Sequence, residues 1–197
     1  MQPPSSQDPI DREVRALILA KYLLRLEVRT DMITRFTAIP RSRLGAIRRR
    51  LAVPKETRHR GPGPWRAEGF VSGPDRRRET CALAALFVLY DLISPDGSPT
   101  AGPPDRLAIG ERLCGVYQCV HELCPEIEID FEGLVLLRTT LARRQILETS
   151  YCRSCGCLIV VERNDLRHRR CELCEEAAVN PGTHNGRRLS RLSTPNA

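Results

Sequence analysis

Apolar positions recur at helical spacing through most of residues 11–150, so the pattern predicts a mainly helical fold. Over residues 11–30, Val14, Leu17, Lys21, Leu24 and Val28 follow a 3-4-3-4 rhythm, and Ile18 and Tyr22 widen the stripe. No proline or glycine interrupts this run. Lys21 falls in the seam, where its long stem can pack while the ammonium reaches water. A short segment, 31–37, follows, then Ala38-Ile39-Pro40, then a second amphipathic stretch at 41–51. Pro40 cannot continue a preceding helix but suits the start of the next one. Leu44, Ile47 and Leu51 give the second stretch one apolar face. Arg43 and Arg50, seven residues apart, share another face, with Arg41 and Arg48 beside them and Arg49 adding to the group. A short helix, a tight break and an arginine-rich helix are the outline of a helix-turn-helix over residues 28–51.

Residues 53–78 break the rhythm. Pro54, Pro62, Pro64 and Pro74 alternate with Gly61, Gly63, Gly69 and Gly73, which reads as a long irregular loop. Loops of this length are usually functional. The segment carries Lys55, Arg58, Arg60, Arg66 and Arg76 to Arg78, and its two aromatics, Trp65 and Phe70, read as pins against the core, with base stacking by Trp65 as the alternative. Helical spacing then returns. Asp75 is placed to cap a helix through Cys81, Leu83, Leu86, Phe87 and Tyr90. Residues 94–104 are a loop by composition. Asp105 is placed to cap the next helix, ending near Cys124-Pro125, and Asp130 a third, running through Leu134, Leu137 and Leu141 to about Thr149.

Charge divides the 197 residues unevenly. The net charge is +7, but residues 1–78 hold +10, residues 79–150 hold −6 and residues 151–197 hold +3. A basic head followed by an acidic middle suggests that the head meets a polyanion and the middle does not. The longest uninterrupted apolar run, Cys81 to Tyr90, is too short to span a bilayer. The polar, proline-rich residues 1–10 lack the pattern of an export signal, so a cytoplasmic location is expected. In a reducing compartment the nine cysteines are expected to be metal ligands or buried thiols rather than disulfides.

Their spacing separates the two roles. Cys114, Cys119 and Cys124 are five apart. On a helix that turns neighbours by about 140°, too far for a shared ion. With Cys81 they read as small hydrophobes. Cys152-Arg-Ser-Cys155 and Cys171-Glu-Leu-Cys174 are instead two CxxC units with fifteen residues between them. That is the spacing of a structural four-cysteine Zn²⁺ site, with Cys152, Cys155, Cys171 and Cys174 as ligands and no position left for a catalytic water. Residues 158–161 and 162–170 are long enough for a β-hairpin that returns the second pair. Cys157 is too close to Cys155 to form the usual pair and reads as a non-ligand; His168 is a weaker substitute. One ion would fold a module at 151–180 too small to build its own core.

The combination resembles the FlhC family, the zinc-containing subunits of the bacterial flagellar master regulator. The resemblance covers about residues 11–174. It rests on the long first helix, the RSRLGAIRRRL segment before a Pro/Gly-rich basic loop with Trp65, CPE at 124–126, and CRSCGC…CELC at the C-terminal end. It implies a mainly helical fold with a terminal zinc site on Cys152, Cys155, Cys171 and Cys174. It also implies a hetero-oligomer of four FlhD and two FlhC subunits that binds promoter DNA and recruits RNA polymerase for flagellar genes.

No short family motif marks the DNA contacts. The residues assigned here are Arg41, Arg43, Arg48, Arg49, Arg50, Lys55, Arg58 and Arg60, whose cations would neutralise phosphates, one or two of them forking onto guanine edges. The alternative is a zinc-containing scaffold that holds a partner without itself reading DNA. An enzyme is not expected, because the chain has no phosphate loop, nucleophile elbow or HExxH. The expected organisation is a polar segment at 1–10, a helical domain at 11–150, the zinc module at 151–180 and a flexible basic tail at 181–197.

Overall fold

A computed structural model describes residues 8–52, 66–97, 105–165 and 169–179. The chain is mainly helical. Its elements are α1 (Pro9–Arg25), α2 (Thr30–Thr37), α3 (Arg41–Arg50), a 3-10 turn (Ala67–Val71), α4 (Pro74–Leu89), α5 (Arg106–Leu123), α6 (Phe131–Arg143), β1 (Leu147–Tyr151), β2 (Leu158–Glu162) and α7 (Glu172–Val179). Among the described residues, no helix is long and apolar enough to cross a membrane.

Two of the expected caps are in place. The Asp105 carboxylate accepts from Leu107 N–H at the start of α5. Asp130 does the same from Gly133 N–H at 2.6 Å, satisfying an orphan donor of α6. The third expected cap is elsewhere. Gly73 stands at the N-cap of α4 and Pro74 is its first residue, so Asp75 lies inside the first turn and pairs with Arg78. The proline supplies a preset helical φ and lacks only an N–H that would have had no partner.

The first helix buries a different face from the one its rhythm suggested. Ala16, Leu19, Ala20, Leu23 and Leu24 are buried, whereas Val14 and Ile18 are exposed, as is Lys21. Small residues decide the seam. Ala16 and Ala20 let neighbouring helices approach, and Gly110 of α5 sits where a Cβ would lie 2.8 Å from Leu19 Cδ2 and 3.2 Å from Phe36 Cβ. A stripe of large side chains could not achieve that approach. The helix also ends at Arg25 rather than near Thr30, with Glu27 in the left-handed region at φ 59°.

One core cluster runs through the helices. Leu23, Leu24, Ile33, Phe87, Leu113, Leu134, Leu137 and Leu141 are fully buried in it, with Phe36 packed edge-on against Phe131 at 6.2 Å. The 3-10 turn is tied to α4 by Thr80 Oγ1, which donates to Phe70 C=O at 2.7 Å. The expected loop at 53–78 is therefore structured at its end, in the 3-10 turn and the start of α4. Trp65 lies outside the described residues; Phe70 is buried as expected.

The third acidic helix stops at Arg143, six residues before its expected end. Arg144 adopts φ 50° and closes α6, and Leu147–Tyr151 becomes a strand. The strand pairs antiparallel with β2, with Leu147 opposite Glu162 and Tyr151 opposite Leu158. The hairpin thus lies before and after the first CxxC unit instead of between the two units. Leu147 and Val160 enter the main core, so the hairpin is rooted in the helical body.

Candidate functional site

The hairpin register builds the cysteine cluster. Continuing the pairing past Tyr151–Leu158 places Cys152 opposite Cys157, and Cys152 N–H donates to Cys157 C=O at 2.9 Å. Directly opposed residues on one face have neighbouring side chains. Between them Cys155 occupies the tip, and Gly156, at φ +74°, makes the left-handed turn that brings the chain back. Gly156 N–H donates to Cys152 C=O at 2.9 Å. The second pair arrives on the segment before α7. Arg153 N–H donates to Arg169 C=O at 3.0 Å, holding that segment against the tip and setting Cys171 just ahead of the helix and Cys174 in its first turn.

The sulfurs of Cys152, Cys155, Cys157 and Cys171 all lie within 4.8 Å of one another. Cys155 Sγ and Cys171 Sγ are 3.7 Å apart. Four thiolates at about 2.3 Å around a tetrahedral ion stand about 3.8 Å from each other, so a small contraction suffices for this group to hold a metal ion. Cys174 lies outside this quartet and packs at the edge of the small core formed by Cys152, Ile159 and Val161. Three of the four expected ligands are thus in the closest group, the fourth adjoins it, and Cys157, expected to stand apart, is a full member. The signal for Cys157 was the strand register, which becomes readable only once β1 is known. His168 lies outside the described residues.

Local electrostatics favour thiolates at the core of the cluster. Burial raises the Cys152 thiol, but the backbone N–H groups of Cys155, Cys171 and Ser154 outweigh it and bring it down to about 6. Two of these bonds are explicit, Ser154 N–H to Cys152 Sγ at 3.4 Å and Cys171 N–H to the same sulfur at 3.2 Å. The N–H of Cys157 chiefly lowers Cys155. Cys157 is raised, first by burial and then by its hydrogen bonds to Cys155 and Cys171. Cys174 is raised to about 12, first by its hydrogen bond with Cys171. Such N–H···S bonds spread the charge of a thiolate, as the ligands of a bound cation require.

The helical body supports the cluster from behind. Cys81 of α4 packs against Cys152, Ile159 and Val161, and its sulfur accepts from Val160 N–H at 3.3 Å. Arg77 and Arg78 of α4 reach α7, pairing with Glu172 at 3.0 Å and Glu176 at 2.7 Å. These arginines, expected at the end of the basic loop, instead tie α4 to α7 of the cysteine module. Of the cysteines expected to be buried thiols, Cys114 is buried, while Cys81, Cys119 and Cys124 are half-buried. Burial raises Cys114 to about 12, as suits an inert thiol.

The basic candidates gather only in part. α2 and α3 are joined by Ala38-Ile39-Pro40, with Ala38 in the left-handed region, and α3 rests on α1 and α2 with Leu44 as its one buried residue. Arg41 pairs with Asp31 at 2.6 Å and Arg43 with Glu13 at 2.8 Å, all at exposed positions. Arg48 is half-buried, and Arg49 and Arg50 are exposed at the end of the helix. Lys55, Arg58 and Arg60 lie outside the described residues. No family model matches the chain, and no curated protein matches it.

Proposed function

We propose that this chain is a DNA-binding subunit of an FlhC-type transcriptional activator, acting with FlhD in a hetero-oligomer on flagellar promoters and recruiting RNA polymerase. A structural Zn²⁺ held by the cysteine cluster fixes its C-terminal module; thiolates suit zinc, and the closed donor set leaves it a scaffolding role. The observation that carries the reading is the solvent-facing α3. Its last turn presents Arg49 and Arg50 at exposed positions. The ion pairs of Arg41 and Arg43 are exposed and worth little, so phosphates can replace their carboxylates at small cost. The chain binds DNA as a non-catalytic cytoplasmic protein in this reading.

The test is binding of the chain, co-purified with FlhD, to promoter duplex over a range of salt. Log affinity should fall steeply with log salt, and the double change Arg49→Ala, Arg50→Ala should reduce the slope by about 0.9 for each phosphate contact removed. An unchanged slope and affinity in that variant would exclude contact through Arg49 and Arg50. The second reading, a zinc-containing scaffold, is favoured by the exposed Leu89 and Leu123 in the acidic middle of the chain. It predicts assembly with the partner that survives the same arginine changes, with DNA affinity carried by the partner.

A further inference from the structure

The cluster holds one more thiol than a tetrahedral ion can use. Cys152, Cys155 and Cys171 gather with Cys157, and Cys174 adjoins them. Cys157 completes one quartet, with all sulfurs within 4.8 Å, and Cys174, in the first turn of α7, packs at the edge of the same small core. The two arrive by different routes, Cys157 through the β1–β2 register opposite Cys152 and Cys174 through one helical turn from Cys171. Neither route depends on the other. Cys81 is not a sixth candidate, because its sulfur lies beside the edge of β2 and accepts from Val160 N–H.

We propose that the centre has three fixed ligands, Cys152, Cys155 and Cys171, and a fourth position that either Cys157 or Cys174 can fill. The remaining thiol is a reserve ligand beside the ion. An ordinary CxxC…CxxC site has no such reserve, and loss of any one ligand leaves it three-coordinate. Here the loss of Cys157 or of Cys174 still leaves four sulfurs. The inference rests on the proposed metal site, and it changes the meaning of that site's ligand set.

The experiment compares the full chain with Cys157→Ser, Cys174→Ser and the double variant, each co-expressed with FlhD. Zinc stoichiometry is measured by elemental analysis and affinity by competition with a chromophoric chelator; Co²⁺ substitution reports the number of thiolates from its sulfur-to-metal charge-transfer intensity. Each single variant should keep one ion per chain and four-thiolate Co²⁺ intensity, with affinity within about tenfold of wild type. The double variant should lose about a hundredfold or more and one thiolate of intensity. Either single variant falling as far as the double would overturn the proposal, because the fourth ligand would then be fixed. Helical content by circular dichroism and a Cys174→Ala variant guard against misfolding of α7: a Cys174→Ala chain with wild-type helicity that has lost the ion overturns the proposal equally. Wild type without bound metal would defeat the metal reading itself, whereas a metal-loaded wild type with a sensitive single variant defeats only the reserve ligand.

Discussion

The helical head, α1 to α3, and the cysteine module, β1 to α7, keep their shape by different means. The head shares one large core, with Leu19, Leu23, Leu24, Ile33, Phe36 and Leu44 buried against α5 and its neighbours. Among the described residues, the module's second cluster buries only Cys152, Ile159 and Val161, with Cys81, Cys171 and Cys174 at its edge. Apolar burial at about 25 cal/mol per Å² can hold the first but leaves the second short of what ordering its chain costs. In the head that stabilisation is packing; in the module the proposed metal ion would supply it through the cysteine sulfurs.

The largest effect should follow from removing that ion. Structural zinc in small peptides contributes an apparent 10–16 kcal/mol or so at neutral pH, an upper guide here because Leu147 and Val160 anchor the hairpin independently. Chelation, or Cys155→Ser, should expose Arg169 and Arg170 to trypsin before any arginine of α1. Mass spectrometry of the first fragments checks this, and equal protection with and without metal would erase the contrast between the two regions. Acid should act in the same direction. The Cys152 pKa is depressed to about 6, so the stability its thiolate gives the metal-free chain is complete above the ordinary thiol range. That contribution is lost as pH falls through about 6.

A smaller effect tests the head. Leu23 and Ile18 lie on one helix, but Leu23 is fully buried and Ile18 is 62% exposed. Leu23→Ala should cost about 2–5 kcal/mol, whereas Ile18→Ala should stay within about 0.5 kcal/mol. Denaturant midpoints decide between them. Similar losses would mean that α1 also buries the face carrying Val14 and Ile18 in the folded molecule.

That pair also marks where the sequence was legible. Cysteine spacing is local, and the two CxxC units announced a cluster able to hold a metal ion without any knowledge of the fold. The caps Asp105 and Asp130 were equally local, since a carboxylate needs only the N–H groups two or three residues on. The buried face of α1 was not local. Two neighbouring stripes of that helix are both apolar, and the choice between them is made by Gly110 and Phe36, about a hundred and about twenty residues away in sequence. The end of α6 failed for a related reason. Residues 147–151 take strand geometry because β2 offers a pairing edge, which helical rhythm cannot reveal. With β1 missing from the reading, Cys157 could not be placed opposite Cys152.

The smallest effect concerns the joint between the regions. Arg77 and Glu172 connect α4 to α7 at 3.0 Å with most of both side chains covered, while Arg43 and Glu13 join α3 to α1 at 2.8 Å in the open. Water screens the second pair almost fully, so its coupling in a double-mutant cycle should be near zero and vanish in salt. The first pair is less screened, but its arginine and carboxylate each surrendered hydration to meet, so its coupling should stay at or below about 1 kcal/mol. The expected ordering is therefore Arg77–Glu172 above Arg43–Glu13, with the difference persisting at high salt. Measured on the metal-loaded chain, the Arg77–Glu172 coupling should appear in global stability; after chelation, release of α7 should abolish it. A coupling unchanged by chelation would mean that α7 stays docked without the ion, and that α4, rather than sulfur chemistry, holds the module in place.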